Sequence, residues 1–585
     1  MEITGRSALA RIWTSSAGPP VRLTALLLAL TACPGANREA ARGPFDVVLR
    51  GGWIVDGSGN PRYAGDVAIR GDRIAAVGYL GGGGGRGVAA RETLDVSGLV
   101  VAPGFIDMLG QSEYNVLVDN RVLSKVTQGI TTEVTGEGGS VAPLTDLLVV
   151  DDSAWMKKYG VREDWRDLDG YFAHLARATS AVNIATFVGA TQLRLAVVGK
   201  QDRHATPEEL AHMVALVDTA MEQGALGLST AMEYAPAFYA PTEEIIALAK
   251  AARRHGGVYA THMRNEGGQI DQALDETFRI AREAAIPAEI WHLKVSGRHN
   301  WGRMPHVLAR IDSARGAGLD VTADQYPYLA GATSLDASVP AWAHSGGNDS
   351  LLSRLRDPAT RARLRAELVA PPQITDRFYR ATEGPQGVIV FPFEDSLHYL
   401  QGKRLSEIAA ARRQDPIETM FDLIIADHAR SGAIYFLMSE PDVQAAMRQW
   451  WVAVNTDAGG VAPDGPFGNE GTHPRAYGSF TRILGRYVRE QHLMTVEYAV
   501  RKMTSLAAQR VGLMDRGLVR PGMYADLTVF DPTTVIDRAT FEQPHQPSVG
   551  IEYVFVNGQA VVRRGKLTDA RPGRGLRGPG FMRSR

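Results

Sequence analysis

His262 and His292 each close a short apolar run, Val258-Tyr259-Ala260-Thr261-His262 and Ala288-Glu289-Ile290-Trp291-His292. One strand–helix unit separates them. That spacing places two imidazoles at the C-terminal ends of consecutive parallel strands, aimed at one face of a sheet or barrel, which is a start on a Zn2+ site. Asp457 ends another apolar run, Trp451 to Asp457, where a carboxylate could ligate metal and take a proton from water. Glu137, in Thr131-Thr-Glu-Val-Thr-Gly-Glu137-Gly-Gly, ends a further strand and is the candidate third ligand. Each residue has a plainer reading: a strand-end histidine satisfied by its neighbours, an aspartate capping a helix, a glycine turn or anion nest at 136–139. Four such residues at the same end of successive strands favour the metal site.

The elements that would hold them follow from the hydrophobic pattern. Strand candidates fall at 100–107, 129–136, 182–188, 225–230, 258–262, 288–292, 320–326, 433–438 and 451–457, with helical segments between. An eight-stranded (β/α)8 TIM-like barrel over 101–510 fits this α/β rhythm better than an open sheet. Thr206-Pro207-Glu208-Glu209 predicts a capped helix start, and Thr242-Glu243-Glu244 opens a helix that ends at Gly256-Gly257. Residues 335–400 break the rhythm and read as an insertion over the barrel, a lid that would set substrate choice. Short strands at 45–100 and again at 511–570 predict one small β-sandwich built from both chain ends. Gly81 to Gly85 reads as a flexible loop, and the Gly-, Pro- and Arg-rich stretch 571–585 as a disordered basic tail.

The chain has 585 residues, a formal net charge of −1 and a single cysteine. Near-neutral charge gives no basis for a nucleic-acid partner, and one cysteine excludes an intrachain disulfide. That cysteine, Cys33, follows the apolar run Leu23–Ala32, the length of a signal-peptide core and too short to span a bilayer. Leu30-Thr31-Ala32-Cys33 resembles a bacterial lipobox, so residues 1–33 read as a lipoprotein-type signal segment, Cys33 as the lipidation site and 34–44 as a tether. The alternative is an ordinary signal peptide with an incidental cysteine. Val21-Arg22 directly before the apolar run makes a compact basic region, so translation is expected to start at Val21 on a GTG codon. The expected location is the bacterial cell envelope, membrane-anchored and periplasm-facing.

Over about 45–568 the sequence resembles the D-aminoacylase (N-acyl-D-amino-acid deacylase) group of the amidohydrolase superfamily. The resemblance is carried by Ala102-Pro-Gly-Phe-Ile-Asp107, Gln128-Gly-Ile-Thr-Thr132, Gly224-Ala-Leu-Gly-Leu-Ser229, Tyr259-Ala-Thr-His-Met-Arg-Asn-Glu266, His292-Leu-Lys294, Asn300-Trp-Gly-Arg303, Asp324-Gln-Tyr-Pro-Tyr328, His473-Pro-Arg-Ala-Tyr-Gly478, Arg501-Lys-Met-Thr-Ser505 and Gly517-Leu-Val-Arg-Pro-Gly522. It implies a barrel with a β-sandwich, zinc ligands at His262 and His292, and a proton-carrying Asp457. It also implies amide hydrolysis of N-acyl-D-amino acids by metal-activated water.

Two departures stand out. The His-x-His pair that the superfamily places after the first strand, at its second metal position, is here Leu109 and Gln111. Leucine has no donor atom and a neutral amide is a poor zinc ligand, so one divalent metal is expected. The family's cysteine ligand after the second strand is also missing. Glu137 or Gly138 stands there, and only Glu137 can bind metal. The resulting His–His–carboxylate set suits Zn2+ and, being harder than a thiolate set, admits Mn2+, Co2+ or Fe2+.

Lys294 and Tyr326 resemble the family's anchors for the substrate α-carboxylate; a salt bridge and a core aromatic are the plainer readings. Arg264 and Glu266 follow the first histidine and are candidates to orient it, with Arg264 counted among the substrate-binding residues. His473 and Arg475 are expected to cap the mouth as substrate-binding residues; bracing a loop is the plainer reading. Ser112 and Glu113 are candidate replacements for the lost pair. The alternatives are another amidohydrolase activity (on a cyclic imide, a dipeptide or an amide toxin) and a degenerate, non-catalytic ligand-binding lipoprotein. Oligomeric state is left open.

Overall fold

Eight short parallel strands carry the centre of the molecule: Phe105–Asp107, Ile130–Thr135, Asn183–Thr186 with its continuation Val188–Gly189, Gly227–Ala231, Val258–His262, Ala288–Ile290, Val321–Gln325 and Val452–Val454. Each pairs in parallel with the next. The ring is closed where Met108 N donates to Val454 O at 3.2 Å and Asp457 N to Leu109 O at 2.8 Å. The structure, a computed structural model, describes residues 44–81, 88–146, 148, 153–370, 378–382 and 384–582. The signal-type segment with Cys33, the expected start at Val21, the tether up to residue 43 and most of the 81–85 glycine loop lie outside the described residues.

Strand periodicity explains which way the functional side chains face. Ile106, Val134, Ala185, Leu226, Ala260, Trp291 and Ala453 form one buried cluster with Val258 and Phe187, and this cluster fills the barrel. Val258 and Ala260 point into it, so His262, two residues on, points inward at the mouth. The flanking helices are amphipathic. Thr242–Arg254 buries Ile245, Leu248, Ala249 and Ala252, and Pro207–Glu222 starts with the expected capping box at Thr206 and Glu209.

The second β unit joins both ends of the chain. Its strands run in the order Lys566–Leu567, Gln559–Arg563, Ile551–Val556, Leu527–Phe530, Val100–Pro103, Phe45–Ile54, Tyr63–Arg70, Arg73–Gly78, with Ala90–Asp95 also on Phe45–Ile54. The predicted strand 100–107 is thus two strands. Val100–Pro103 pairs antiparallel with Leu527–Phe530 in this unit, and Phe105–Asp107 begins the barrel.

Three expectations need correction. The ninth strand candidate, 433–438, is not in the barrel: Gly432–Phe436 pairs antiparallel with Ala330–Ser334 and Val388–Phe391. The insertion is accordingly wider than 335–400 and fills the interval between the seventh and eighth barrel strands. The basic tail is ordered as far as residue 582 rather than disordered. Ile184 N donates to Arg574 O at 2.9 Å, Leu576 N to Ile184 O at 2.7 Å and Gly578 N to Gly224 O at 2.8 Å. The tail thus lies as a wedge at the N-terminal ends of the third and fourth barrel strands. Glycine serves close approach here, since a Cβ at Gly573 would overlap the Val182 carbonyl.

Candidate metal centre and active site

The end of the fifth strand and the loops after the second, sixth and eighth bring His262, Glu137, His292 and Asp457 to one cavity of about 210 Å3, also lined by Gln111, Lys294, Tyr326 and Arg475. Oε1 of Glu137 lies 2.9 Å from Nδ1 of His262 and 3.0 Å from Nε2 of His292. Glu137 is held by close packing of its loop: Gly138 has φ +65°, and a Cβ there would come 2.5 Å from that of Ala231. His292 also has a left-handed backbone, φ +37°. Asp324, on the next strand, fixes it by accepting from the His292 backbone N–H at 2.6 Å.

The far nitrogens of both rings meet carboxylates. Nε2 of His262 lies 3.0 Å from Oε2 of Glu233, and Nδ1 of His292 lies 3.1 Å from Oε1 of Glu266. The Glu233 pair fixes the tautomer of His262 and leaves its Nδ1 free for a metal, while Nδ1 of His292 is shared between Glu266 and the Lys294 ammonium, 2.7 Å away. Glu233 escaped the sequence reading because it sits two residues past the fourth strand in no recognisable motif. Glu266, expected to orient His262, serves chiefly His292 and clamps Lys294, whose Nζ lies 2.7 and 2.6 Å from its two oxygens.

The electrostatics suit a dication. Burial pushes the His262 pKa down, but Glu266, Glu137 and Glu233 outweigh it and raise it to about 10. Burial also favours a neutral Glu137, yet the two imidazoles hold it well below the carboxylate range. A pocket with that surplus of negative charge exchanges its proton for a metal ion readily. The donor geometry fits as well. The three ligand atoms lie within 4.8 Å of one another, and the O–N separations approach the roughly 3.3 Å edge of a tetrahedron with bonds of about 2.0–2.1 Å.

Asp457 has a left-handed backbone, φ +47°. Its Oδ2 pairs with Nη1 of Arg475 at 2.7 Å and its Oδ1 accepts from Gln111 Nε2 at 3.0 Å. Burial raises its pKa, against the pull of Arg475 and His292. The strand end is locked from below by Lys125, a buried cation that the sequence reading missed. Its Nζ bonds Asp107 Oδ2 at 2.8 Å, Thr456 Oγ1 at 2.7 Å and Ala458 O at 2.6 Å.

Not every predicted residue reaches the cavity. Arg264 bonds Glu276 at 2.9 and 2.8 Å and the carbonyls of Phe238 and Ala240; it braces a loop and does not line the site. His473 touches only the outer edge, with both nitrogens engaged: Nε2 donates to Ala330 O at 2.9 Å and Nδ1 accepts from Arg475 N at 2.9 Å. It holds the Arg475 backbone and offers nothing to a ligand. Ser112 donates to Glu133 at 2.7 Å and accepts from Gly460 N. The Glu113 carboxyl is buried outside the cavity lining, and burial lifts its pKa to about 7. Neither replaces the lost histidines. The hydroxyl of Tyr326, which does line the cavity, is buried without a hydrogen-bond partner.

The amidohydrolase family profile matches residues 92–562, and the chain belongs to that family. D-aminoacylase of Alcaligenes xylosoxydans xylosoxydans is 40% identical over 91% of this chain and 98% of its own length. The N-acyl-D-glutamate deacylase of the same organism is 36% identical over 91% and 96%. A crystal structure of D-aminoacylase superposes with a TM-score of 0.75 at 39% identity, covering 91% of this chain and all (100%) of that one. A structure of N-acyl-D-glutamate deacylase from Bordetella bronchiseptica, complexed with zinc and a phosphonate mimic of the tetrahedral intermediate, gives 0.75 at 33% identity over 92% and 100%. Within the family the chain falls in the D-aminoacylase (N-acyl-D-amino-acid deacylase) group.

Proposed function

We propose that this chain hydrolyses the amide bond of N-acyl-D-amino acids, using one divalent ion, zinc, held by His262, His292 and Glu137. The observation that carries the reading is the convergence of those three donors on one point, with Asp457 across Gln111 from them. The ion would acidify a water and polarise the acyl carbonyl. Asp457 accepts the proton and delivers it to the amine nitrogen as the C–N bond breaks, one carboxylate acting as base and then as acid. Burial raises the Asp457 pKa above the ordinary carboxylate value, which strengthens it as a proton acceptor. Lys294, Tyr326 and Arg475 line the cavity as anchors for the substrate α-carboxylate, and the open Tyr326 hydroxyl is the natural donor. Lys294 and Arg475 are the cavity's lysine and arginine among the described residues, and each already faces a carboxylate. With Tyr234, Phe378 and Leu437 on the wall, the site suits a neutral side chain better than an acidic one. The three converging donors and Asp457 speak against a binding-only protein.

The test is a panel of N-acetyl-D-, N-acetyl-L- and cyclic-imide substrates with zinc-loaded protein. Turnover of neutral D-substrates, abolished in Asp457→Asn and His262→Ala, is expected; turnover of only L- or cyclic substrates would overturn the reading. The envelope location and the lipid at Cys33 are part of the proposal and rest on the Leu23–Cys33 segment. Loss of membrane association and of lipid labelling in Cys33→Ser would bear them out, and labelling that persists would refute them. No helix among the described residues is long and apolar enough to cross a membrane.

A further inference from the structure

Gln111 stands four residues past the first barrel strand, and its backbone N–H donates to Ala458 O at 3.1 Å, which ties its loop to the one that carries Asp457. Its side-chain Nε2 lies 3.0 Å from Oε2 of Glu137 and 3.0 Å from Oδ1 of Asp457. One carboxamide nitrogen has two hydrogens, and here each has a carboxylate. The flipped amide would set an oxygen against both anions, so the orientation is dictated by chemistry. The outer oxygens of the two carboxylates are also committed, Glu137 Oε1 to both imidazoles and Asp457 Oδ2 to Arg475.

We infer that Gln111 is a positioning residue that also restricts the site to a single ion. The inference rests on the metal-hydrolase reading above and deepens it. As a positioning residue, Gln111 couples the metal-holding carboxylate to the proton-carrying one through two N–H donors on a single atom. It thereby fixes the distance between ligand and base without a bridging cation. As a restriction, its N–H2 fills the place a second cation would need between Glu137 and Asp457, and an amide N–H2 cannot coordinate a metal. Leu109, buried nearby in the chain, offers no donor atom. Lys125 braces the same corner from below. Its ammonium is buried, pairs with Asp107 and Glu133, and donates to Thr456 and Ala458 on either side of Asp457. A second dication there would meet N–H donors instead of lone pairs.

The experiment uses the full chain, equilibrated with zinc chloride from equimolar to large excess, with bound zinc counted after removal of free ion. The wild type is expected to hold one equivalent throughout and to turn over at the same rate in excess zinc. Gln111→Glu, isosteric but with an anion in place of the donor, is expected to take up a second equivalent. Gln111→Leu is expected to keep one equivalent and its KM while kcat falls about ten- to hundredfold, the loss of a hydrogen bond to a charged group. A second equivalent on the wild type, or only one on Gln111→Glu, would overturn the restriction. A Gln111→Leu enzyme with wild-type kcat, or with KM and kcat lost together, would overturn the positioning role. The wild-type titration needs no variant to fold. Absence of zinc from the wild type, or zinc retained in full by His262→Ala, would instead sink the metal-site reading itself.

Discussion

Asp457 and Arg475 form a buried ion pair in which Nη1 of the guanidinium lies 2.7 Å from Oδ2 of the carboxylate. Burial raises the Asp457 pKa and the Arg475 charge works against that rise. Removing the charge in Arg475→Met therefore lifts the pKa further. Because a general base works only when ionised, the acid limb of the kcat/KM profile is expected to move to higher pH, with a loss of about tenfold or more at neutrality. A profile with its acid limb unmoved would remove Arg475 from this role.

Glu233 meets the metal site through Nε2 of His262. Glu233→Ala frees the ring to rotate and to adopt the other tautomer, so zinc affinity is expected to fall about ten- to hundredfold, with activity recovered by added zinc. Glu137→Ala, which deletes a ligand, is expected to lose zinc beyond such recovery. Chelator competition separates the two cases, and equal affinities in Glu233→Ala and wild type would refute the assignment.

His473 predicts how stability changes with acid. Burial, then Arg475, hold its pKa well below the ordinary 6.5, and its hydrogen bonds need the neutral ring. The unfolded chain binds a proton as pH falls through about 6.5 while the native state does not. Stability from this ring is therefore complete above that pH and lost as pH falls towards the folded pKa. Replacing the ring in His473→Gln is expected to flatten the stability slope below about pH 6.5 by up to about 1.4 kcal/mol per pH unit. Denaturant midpoints across that range measure it, and an unchanged slope would contradict the assignment.

The ordered tail gives a fourth expectation. Deleting everything after Ala570 removes the backbone bonds to Ser180, Ile184 and Gly224, each worth about 1 kcal/mol, and exposes the lower edge of the third strand. The melting temperature should fall by several degrees, with kcat at ambient temperature retained because these contacts lie at the opposite end of the barrel from Asp457. A truncated chain as stable as the full one would show the wedge to be passive.

How much of this the sequence disclosed depends on the residue. His262, His292, Glu137 and Asp457 were legible because each ends an apolar run, and strand ends of a parallel barrel share one face. Lys294 and Tyr326 were placed correctly at the cavity by the motifs around them. Arg264 does not reach the cavity and His473 braces a loop at the mouth, the plainer of its two readings: adjacency to a ligand or a motif says nothing about which way a side chain turns once the strand has ended. Gln111 was read as a missing ligand, whereas its importance lies in donors aimed at residues distant in the chain. Glu233 and Lys125 act through contacts that no local spacing encodes. The tail was misjudged because glycine signals disorder and close backbone approach alike, and only the neighbouring strand decides between them.

Val101 faces Val529 in the sheet that unites the two chain ends. The closing of that seam is a loop of roughly three-quarters of the chain, among the costliest contacts for a chain to search out. During synthesis the edge of Val100–Pro103 emerges early and its partner Leu527–Phe530 nearly last. Until then it is an open, apolar strand edge, a template for pairing with another chain. Refolding yield should therefore depend on protein concentration.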